Sequence, residues 1–310
     1  MMIRITAAVF ALAASTLPAF AQERITYKSA RAGTSYFQMG VQLAEALKGT
    51  ANVTVEESQG SVQNVMEVRA RGADYVFTTP PGLVAAAQNA AGPFEDRGAP
   101  EFDGIRALFP IPSLTMHFVA STDSGIESFE DMAGKTVLLG SGTFGAREGE
   151  KYLGLFGVAD QVTVADAELS NAVAALKNGQ IDAFVTAGSY PAPNVIEAAA
   201  STGVRVLSLT DAQVEETGRT RLVIPAGTYA GQDQDIVTTS LPVVAYATEA
   251  MSEDTAYALT KAFWENKENL GGTAAWWNGV TPDMIGNVTT QIHPGAARYY
   301  QEIGVDLPEG

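Results

Sequence analysis

The chain has no cysteine and only two histidines, His117 and His293. Without thiols there is no disulfide framework, no cysteine nucleophile and no iron-sulfur cluster, and two distant imidazoles make no zinc or histidine-rich site. For metals, only a calcium site built from carboxylates stays open. Positive charge is scarce too, with 19 Lys and Arg against 35 Asp and Glu and a net charge of −16. That balance opposes a phosphate backbone, so nucleic acid is not an expected partner. Long apolar runs are confined to the N-terminus, MMIRITAAVFALAASTLPAFA. One Arg, an apolar stretch from Ile5 to Leu17 and small residues at Ala19 and Ala21 predict a cleavable signal peptide over 1–21, and hence export to a periplasm. The stretch is shorter than the about 20 apolar residues that span a bilayer. No Cys follows the cleavage position, so a lipid anchor there has no attachment point.

Catalytic signatures are also missing. The sequence holds no G-x-S-x-G, no H-E-x-x-H and no Walker loop. His117 lies in an apolar stretch and reads as a core or hinge imidazole. His293, just before Pro294, reads as a helix-start or surface residue. Adjacent carboxylates such as Glu56 with Glu57 and Glu215 with Glu216 read as solvated faces. The expectation is a protein that is not an enzyme and needs no cofactor.

A length of 310 residues suggests about two domains. β-Branched runs alternate with helix-period segments, the pattern of a parallel sheet flanked by helices. The spacing predicts strands at Ile25–Ser29, Val53–Glu57, Asp74–Thr78, Ile105–Phe109 and Met116–Ser121. Helices are predicted at Ser35–Leu47, with Phe37, Val41, Ala44 and Leu47 on one face, and at Ser61–Arg71. The order then restarts: strands Lys135–Leu139, Val162–Ala165 and Asp182–Thr186, with helices Thr143–Phe156 and Ser170–Lys177. SVQNVMEVRARGADYVFTTPP from Ser61 echoes SNAVAALKNGQIDAFVTAGSYPAP from Ser170. In each a helix ends at a glycine, Gly72 or Gly179, expected in the left-handed conformation, and an Asp then opens an apolar strand. Two similarly built lobes follow. The long run Ile236–Ala247 and helical segments near 253–265, 282–288 and 294–303 have no counterpart in either half. They suit a return crossing that completes the first lobe, so that lobe 1 comprises 22–115 and 240–310 and lobe 2 comprises 116–239, with a hinge between.

Three small-hydroxyl turns come after strand ends, where open α/β sheets bind ligands. They are Ala32-Gly33-Thr34-Ser35, Ser58-Gln59-Gly60-Ser61 and Gly140-Ser141-Gly142-Thr143. Each precedes a helix whose N-terminal amides favour an anion, although N-capping alone would also put Ser and Thr there. The third turn completes a literal G-x-G-x-x-G with Phe144 and Gly145, followed by Asp160 and Asp166, which taken alone suggests a dinucleotide site; export argues against it. Tyr36, Phe37, Phe144 and Tyr190 stand near the turns, either to enclose a ligand or to fill the core. Arg31 and Arg147 stand beside two of them, either to fork a carboxylate or to sit on the surface.

These stretches resemble the TAXI family, the solute-binding components of tripartite ATP-independent periplasmic (TRAP) transporters. The resemblance rests on GTSYFQMG from Gly33, ESQGSVQNV from Glu57, GSGT from Gly140, GQIDAFVTAGSYPAP from Gly179 and IPAGTYAGQDQDIVT from Ile224. LFPIP at Leu108 and DSGIESFEDMAGKTV from Asp123 add to it. It spans Ile25 to Phe263, with departures at Thr34, Gln38, Gln59 and Thr79-Pro80, in the loops that would line the cleft. What it implies is an α/β fold with two lobes, each a mainly parallel sheet flanked by helices, joined by hinge crossings and closing on a ligand. The implied ligand is a small organic anion: a dicarboxylate, a 2-oxo acid or a glutamate-like acid. Carried over residue by residue, Thr34, Ser35 and Tyr36 would line one wall, and Ser58 and Ser61 would meet the ligand at the second helix. Ser141, Gly142 and Thr143 would hold a carboxylate from the other lobe; Thr79, Arg147 and Tyr190 would border the cleft. The implied partner is a TRAP permease, served by a monomer; an ABC importer or a membrane sensor kinase would use the same fold and cleft.

Overall fold

The computed structural model describes residues 22–308, so the expected signal peptide lies outside the described residues. In the first part of the chain, strands β1 (Glu23–Lys28), β2 (Ala51–Glu56), β3 (Tyr75–Thr79) and β4 (Ile105–Ser121) alternate with helices α1 (Ser35–Ala46), α2 (Ser61–Met66) and α3 (Pro81–Gln88). The middle part runs β5 (Thr136–Leu138), α4 (Phe144–Leu155), β6 (Thr163–Ala165), α5 (Ala172–Lys177), β7 (Ala183–Gly188), α6 (Pro193–Ser201), β8 (Val204–Val206), α7 (Asp211–Thr217) and β9 (Thr220–Ile224). A long strand β10 (Ile236–Thr248) then leads to α8 (Glu253–Glu265), α9 (Lys267–Thr273) and α10 (Pro294–Glu302).

The strands hydrogen-bond in the order β2-β1-β3-β10-β4-β7-β5-β6, with β8 added to β4 and β9 added to β10. Each end is a parallel trio, β2-β1-β3 or β7-β5-β6. The centre is antiparallel, because β10 runs against β3 and β4, and β4 against β7. Strand β3, YVFTT, is buried at every position, its two threonines included, as a strand inside a covered sheet is. The two long strands each serve several partners along their length. β4 pairs with β10 over Ile105–Thr115 and with β7 over Thr115–Ala120.

Aromatic side chains hold the first half together. Tyr75, Phe77 and Tyr246 stack in a row across β3 and β10, with centroids 5.3 and 5.7 Å apart. Phe109 of β4 stacks on Phe263 of α8 at 4.2 Å. Trp277 is fully buried, and its indole N–H donates to Gln42 Oε1 of α1 at 2.7 Å, which fastens the C-terminal segment to the first helix. A second apolar cluster, including Val119, Phe184, Ile181 and Val195, fills the other end of the sheet.

Several local expectations are corrected. The buried face of α1 is Tyr36, Met39, Gly40 and Leu43, while Val41 is 51% exposed. The helix turns its smallest residue to the sheet: a Cβ on Gly40 would stand 3.0 Å from Val55 Cγ1, so the close approach needs hydrogen there. The two strands expected at Ile105–Phe109 and Met116–Ser121 are one continuous strand that runs through Pro110 and Pro112. The register with β10 shifts between Leu241 and Val243, around Pro242, so prolines lacking N–H groups gather at one irregularity of the ladder. Gly179 is left-handed at φ 66°, as expected. Gly72 is not, because the chain leaves α2 through a 3-10 turn and an extended Arg71, whose guanidinium is held by Glu56 and Glu67. The segment expected to be helical near 282–288 is a 3-10 turn, Pro282–Asn287.

Candidate functional site

Two of the three turns have the same internal wiring. In the first, the Thr34 N–H donates to Arg31 O at 3.2 Å and the hydroxyl donates to the same carbonyl at 2.7 Å. That hydroxyl also accepts from the Phe37 N–H at 3.3 Å, capping α1. In the third turn, Thr143 N–H and hydroxyl donate to Gly140 O at 3.2 and 2.8 Å, and the hydroxyl accepts from the Ala146 N–H at 3.0 Å, capping α4. The residue before each Thr must be left-handed, which glycine allows freely: Gly33 has φ 83° and Gly142 φ 79°. With the threonines spent on capping, the next amides are the donors left over. Ser35, Tyr36, Phe144 and Gly145 have no backbone partner for their N–H groups among the described residues, as the first turn of a helix dictates.

The second turn is built differently. Ser58 is buried, its hydroxyl donating to Ser29 O at 3.0 Å and accepting the Gly60 N–H at 2.9 Å. Asn64, fully buried, donates to Ser29 O and Thr78 O at 2.8 and 2.9 Å and so ties α2 to the ends of β1 and β3. The Ala32 N–H reaches Glu57 Oε1 at 3.1 Å, which couples this turn to the first. Because α2 has only six residues, its dipole is short.

The turns converge on one cavity between the two ends of the sheet. Thr34, Tyr36, Gly60, Ser61, Thr143 and Phe144 all border it, with Leu114, Leu169 and Val243 supplying apolar wall. Its volume is about 60 Å³. At about 10–15 Å³ of such space per water, it holds roughly four to six waters, so only a small ligand or the anchored end of one fits within it. Arg31 is the single charged residue on its wall. Its guanidinium pairs with Glu168 from the opposite end of the sheet, and its buried Nε has no hydrogen-bond partner among the described residues. The two ends approach closely elsewhere too, since a Cβ on Gly188 of β7 would lie 2.6 Å from Ser35 Oγ at the start of α1.

Of the expected site residues, Thr34, Tyr36, Ser61 and Thr143 line the cavity, and Ser35 is buried at its edge with an unpartnered hydroxyl. Tyr36 donates its hydroxyl to Pro112 O at 2.9 Å, and burial pushes its pKa well above the ordinary value, so it stays neutral. The structure does not bring the others to the cavity wall. Ser58 is consumed in shaping its turn, and Ser141 and Gly142 face solvent at the outer bend. Thr79 is buried but alternates with Thr78, which takes the cavity-facing position on β3. Arg147 lies two residues beyond Gly145, on the far side of α4; burial lowers its pKa against the opposing pull of Glu150 and Glu148. Tyr190, beyond the end of β7, borders a separate cavity with Pro112, Trp276 and Met284. In the sequence Arg31 is one of two arginines beside turns, and its distinction emerges only where β1 and the loop before α5 come together.

The NMT1-like family matches residues 28–304, almost the whole described chain. The chain belongs to the NMT1-like family. MatC from Rhodopseudomonas palustris, solved with bound malate, is similar at 15% identity and a TM-score of 0.56, covering 90% of this chain and 96% of that one. The periplasmic binding protein BugD is 14% identical with a TM-score of 0.54, over 93% of this chain and 100% of that one. A further periplasmic transporter structure is 13% identical with a TM-score of 0.54, over 92% and 94%. At these identities the likeness is one of fold, and the fold is the α/β architecture of periplasmic binding proteins. By their own descriptions one of these structures is a periplasmic binding protein, one a periplasmic transporter, and one holds bound malate.

The remaining chemical groups of this NMT1-like chain have structural partners. His117 is fully buried in β4; its Nδ1 pairs with Thr115 O at 3.2 Å and its Nε2 with the Tyr229 hydroxyl at 2.8 Å. Burial lowers its pKa to about 4. His293 caps α10, as the sequence suggests, but it is buried rather than on the surface. The G-x-G-x-x-G glycines have packing reasons: a Cβ on Gly140 would meet Leu169 Cβ at 2.9 Å, and one on Gly145 would meet Ala187 Cβ at 2.9 Å. Asp160 and Asp166 are exposed. Among the described residues no three His, Cys, Asp or Glu cluster to hold a metal ion, and no helix is long and apolar enough to cross a membrane.

Proposed function

We propose that the protein is the periplasmic solute-binding component of a TRAP transporter and captures a small organic anion, a C4 or C5 dicarboxylate, 2-oxo acid or glutamate-like acid, between two lobes. Arg31, the lone charge on the cavity wall with a free buried Nε, carries the reading. A ligand carboxylate accepts from the free Arg31 Nε, beside the Nη2 that Glu168 holds, where an ion pair out of water is far stronger than on the surface. The helix-start amides of Ser35 and Tyr36 face it from one side and those of Phe144 and Gly145 from the other, adding the positive ends of two helices. Thr34, Tyr36, Ser61 and Thr143 shape the wall. The cavity's small volume favours a compact acid over a bulky one. The malate bound by MatC is of this class.

In this reading residues 22–115 with 240–310 form one lobe and 116–239 the other. They close by bending at β4 and β10, where the sheet crosses between them, and the Arg31–Glu168 pair is a contact of the closed form. Closure buries the anion and presents one continuous surface to the permease. The TRAP assignment rests on the motif set running from GTSYFQMG to IPAGTYAGQDQDIVT, and the periplasmic location on the N-terminal segment 1–21.

Thermal denaturation with a panel of solutes tests the reading. A cognate acid at 100 times its Kd adds about 2.7 kcal/mol, a shift of several degrees for a chain of this size. A shift with a neutral sugar or a cation, and with no organic acid, would overturn it. Mass spectrometry of the molecule retained after native purification names the solute, and uptake through a co-reconstituted TRAP permease tests the partner.

A further inference from the structure

We propose that Phe144 sets the length of ligand that the cleft accepts, by separating the inner cavity from a larger chamber on its far side. The inference rests on the capture reading above. The second chamber has a volume of about 460 Å³ on the same measure, against about 60 Å³ for the inner one. Phe144 is the one residue that borders both. Three chain segments pass from one chamber to the other around it. On β3 Thr78 borders the inner space, and Pro80, just beyond the strand, the outer one; on β10 Val243 is inner and Pro242 outer. On α4, Phe144 and Glu148 are four residues apart and share a face, and Glu148 lies in the outer wall. The two spaces are therefore neighbours in one interlobe cleft, and the bulkiest group at their junction is the Phe144 ring.

The chemistry of the outer chamber says what could extend into it. Its charges are internally neutralised: the Arg219 Nε and Nη2 donate to the two carboxylate oxygens of Glu148 at 3.1 and 2.7 Å. Pro80, Leu83, Leu241 and Pro242 give much of the remaining wall an apolar character. Such a space suits an uncharged methylene chain and offers no free cation for a second carboxylate. With Phe144 in place, a ligand anchored at Arg31 is limited to what the inner cavity holds. Without the ring, the same anchor would serve a longer chain.

The test measures binding by calorimetry and thermal shift for a homologous series of straight-chain monocarboxylates from C4 to C8, with the matching amides run in parallel, on wild type, Phe144→Ala and Phe144→Leu. Wild type is expected to lose at least about tenfold in affinity between C4 and C8. Phe144→Ala should bring C8 to within a few-fold of C4, with Phe144→Leu between them, since it keeps an apolar residue at the helix start if the alanine variant folds poorly. An unchanged length profile in the variants, or a wild type that binds C8 as well as C4, would overturn the inference. If only the amides bind and show the length profile, the anion reading fails while the role of Phe144 stands. If neither series binds either protein, both fall.

Discussion

The turns Arg31–Thr34 and Gly140–Thr143 have the same backbone hydrogen bonds, the same capping threonine and the same left-handed glycine, yet they begin with the most different residues possible. Arg31 brings a charge to the cavity, whereas Gly140 has no side chain and is covered by Leu169. The next helical residues differ as well: Ser35 is a small, buried hydroxyl and Phe144 a large ring. Backbone geometry, duplicated at both ends of the sheet, brings two helix starts to one cavity; in the proposed function the side chains make one turn the electrostatic anchor and the other the steric limit.

The largest expected effect breaks that division directly. Arg31→Ala should weaken binding of the cognate acid by roughly 100-fold or more, because removing one partner of a buried charged pair costs 2–5 kcal/mol. Arg31→Lys should recover part of this, since an ammonium supplies the charge without the planar fork. Calorimetry checks both. If Arg31→Ala binds as wild type does, the anchor lies elsewhere and the asymmetry between the turns has no role in recognition.

A second contrast concerns acid. The second half of the sheet is pinned by His117, whose Nε2 accepts from the Tyr229 hydroxyl while that oxygen accepts the Ala192 N–H at 2.9 Å. His117 is neutral in the fold with a pKa of about 4, below its ordinary value of 6.5, because burial disfavours the cation. The unfolded chain therefore binds more protons between these values, and stability falls as pH drops from about 6.5 to 4. A shift of this size corresponds to roughly 3 kcal/mol. Denaturant melts at pH 7 and pH 4.5 should show His117→Gln losing less stability on acidification than wild type. Equal losses would mean that acid acts through the carboxylates instead.

The caps give a smaller and symmetric effect. Thr34→Ala and Thr143→Ala each remove one cap, worth about 1 kcal/mol, or a few degrees in Tm. Because the two turns are wired alike, their stability losses should match within a few tenths of a kcal/mol. A large inequality, measured by chemical denaturation, would show that one turn is held by something other than its threonine.

How much of this was legible in the sequence follows from which features are local. The strand and helix order, the capping threonines and the mirrored turns are written in short-range pattern, and the chain adopts them. The face of α1 was not legible, because the signal lay in a glycine that permits close approach rather than in a hydrophobic stripe. The continuity of β4 was not legible either, because the strand runs through Pro110 and Pro112 opposite an irregularity at Pro242 on a strand more than 100 positions away. At the site the sequence placed the three turns but not which hydroxyls are already spent. Ser58, whose hydrogen bonds close its own turn, looks the same in sequence as Ser61, which borders the cavity. The salience of Arg31 depends on Glu168, a contact 137 positions away that no periodicity encodes.

The finest contrast lies where the two ends of the sheet touch. Gly188 at the end of β7 leaves room for Ser35 at the start of α1, and a methyl placed there would stand 2.6 Å from Ser35 Oγ but 3.8 Å from its Cβ. Only the hydroxyl is in the way, and it has no hydrogen-bond partner to lose among the described residues. Gly188→Ala should therefore force Ser35 out of its rotamer at about 0.5–1.5 kcal/mol, weakening ligand binding by roughly two- to tenfold while the ligand-free protein, free to open, keeps its Tm. Ser35→Ala combined with Gly188→Ala should return the affinity to that of Ser35→Ala alone, a coupling that a double-mutant cycle reads directly. If the two substitutions instead add without coupling, the approach of α1 to β7 is not part of the ligand-bound state, and the two turns do not close on their guest in the manner argued.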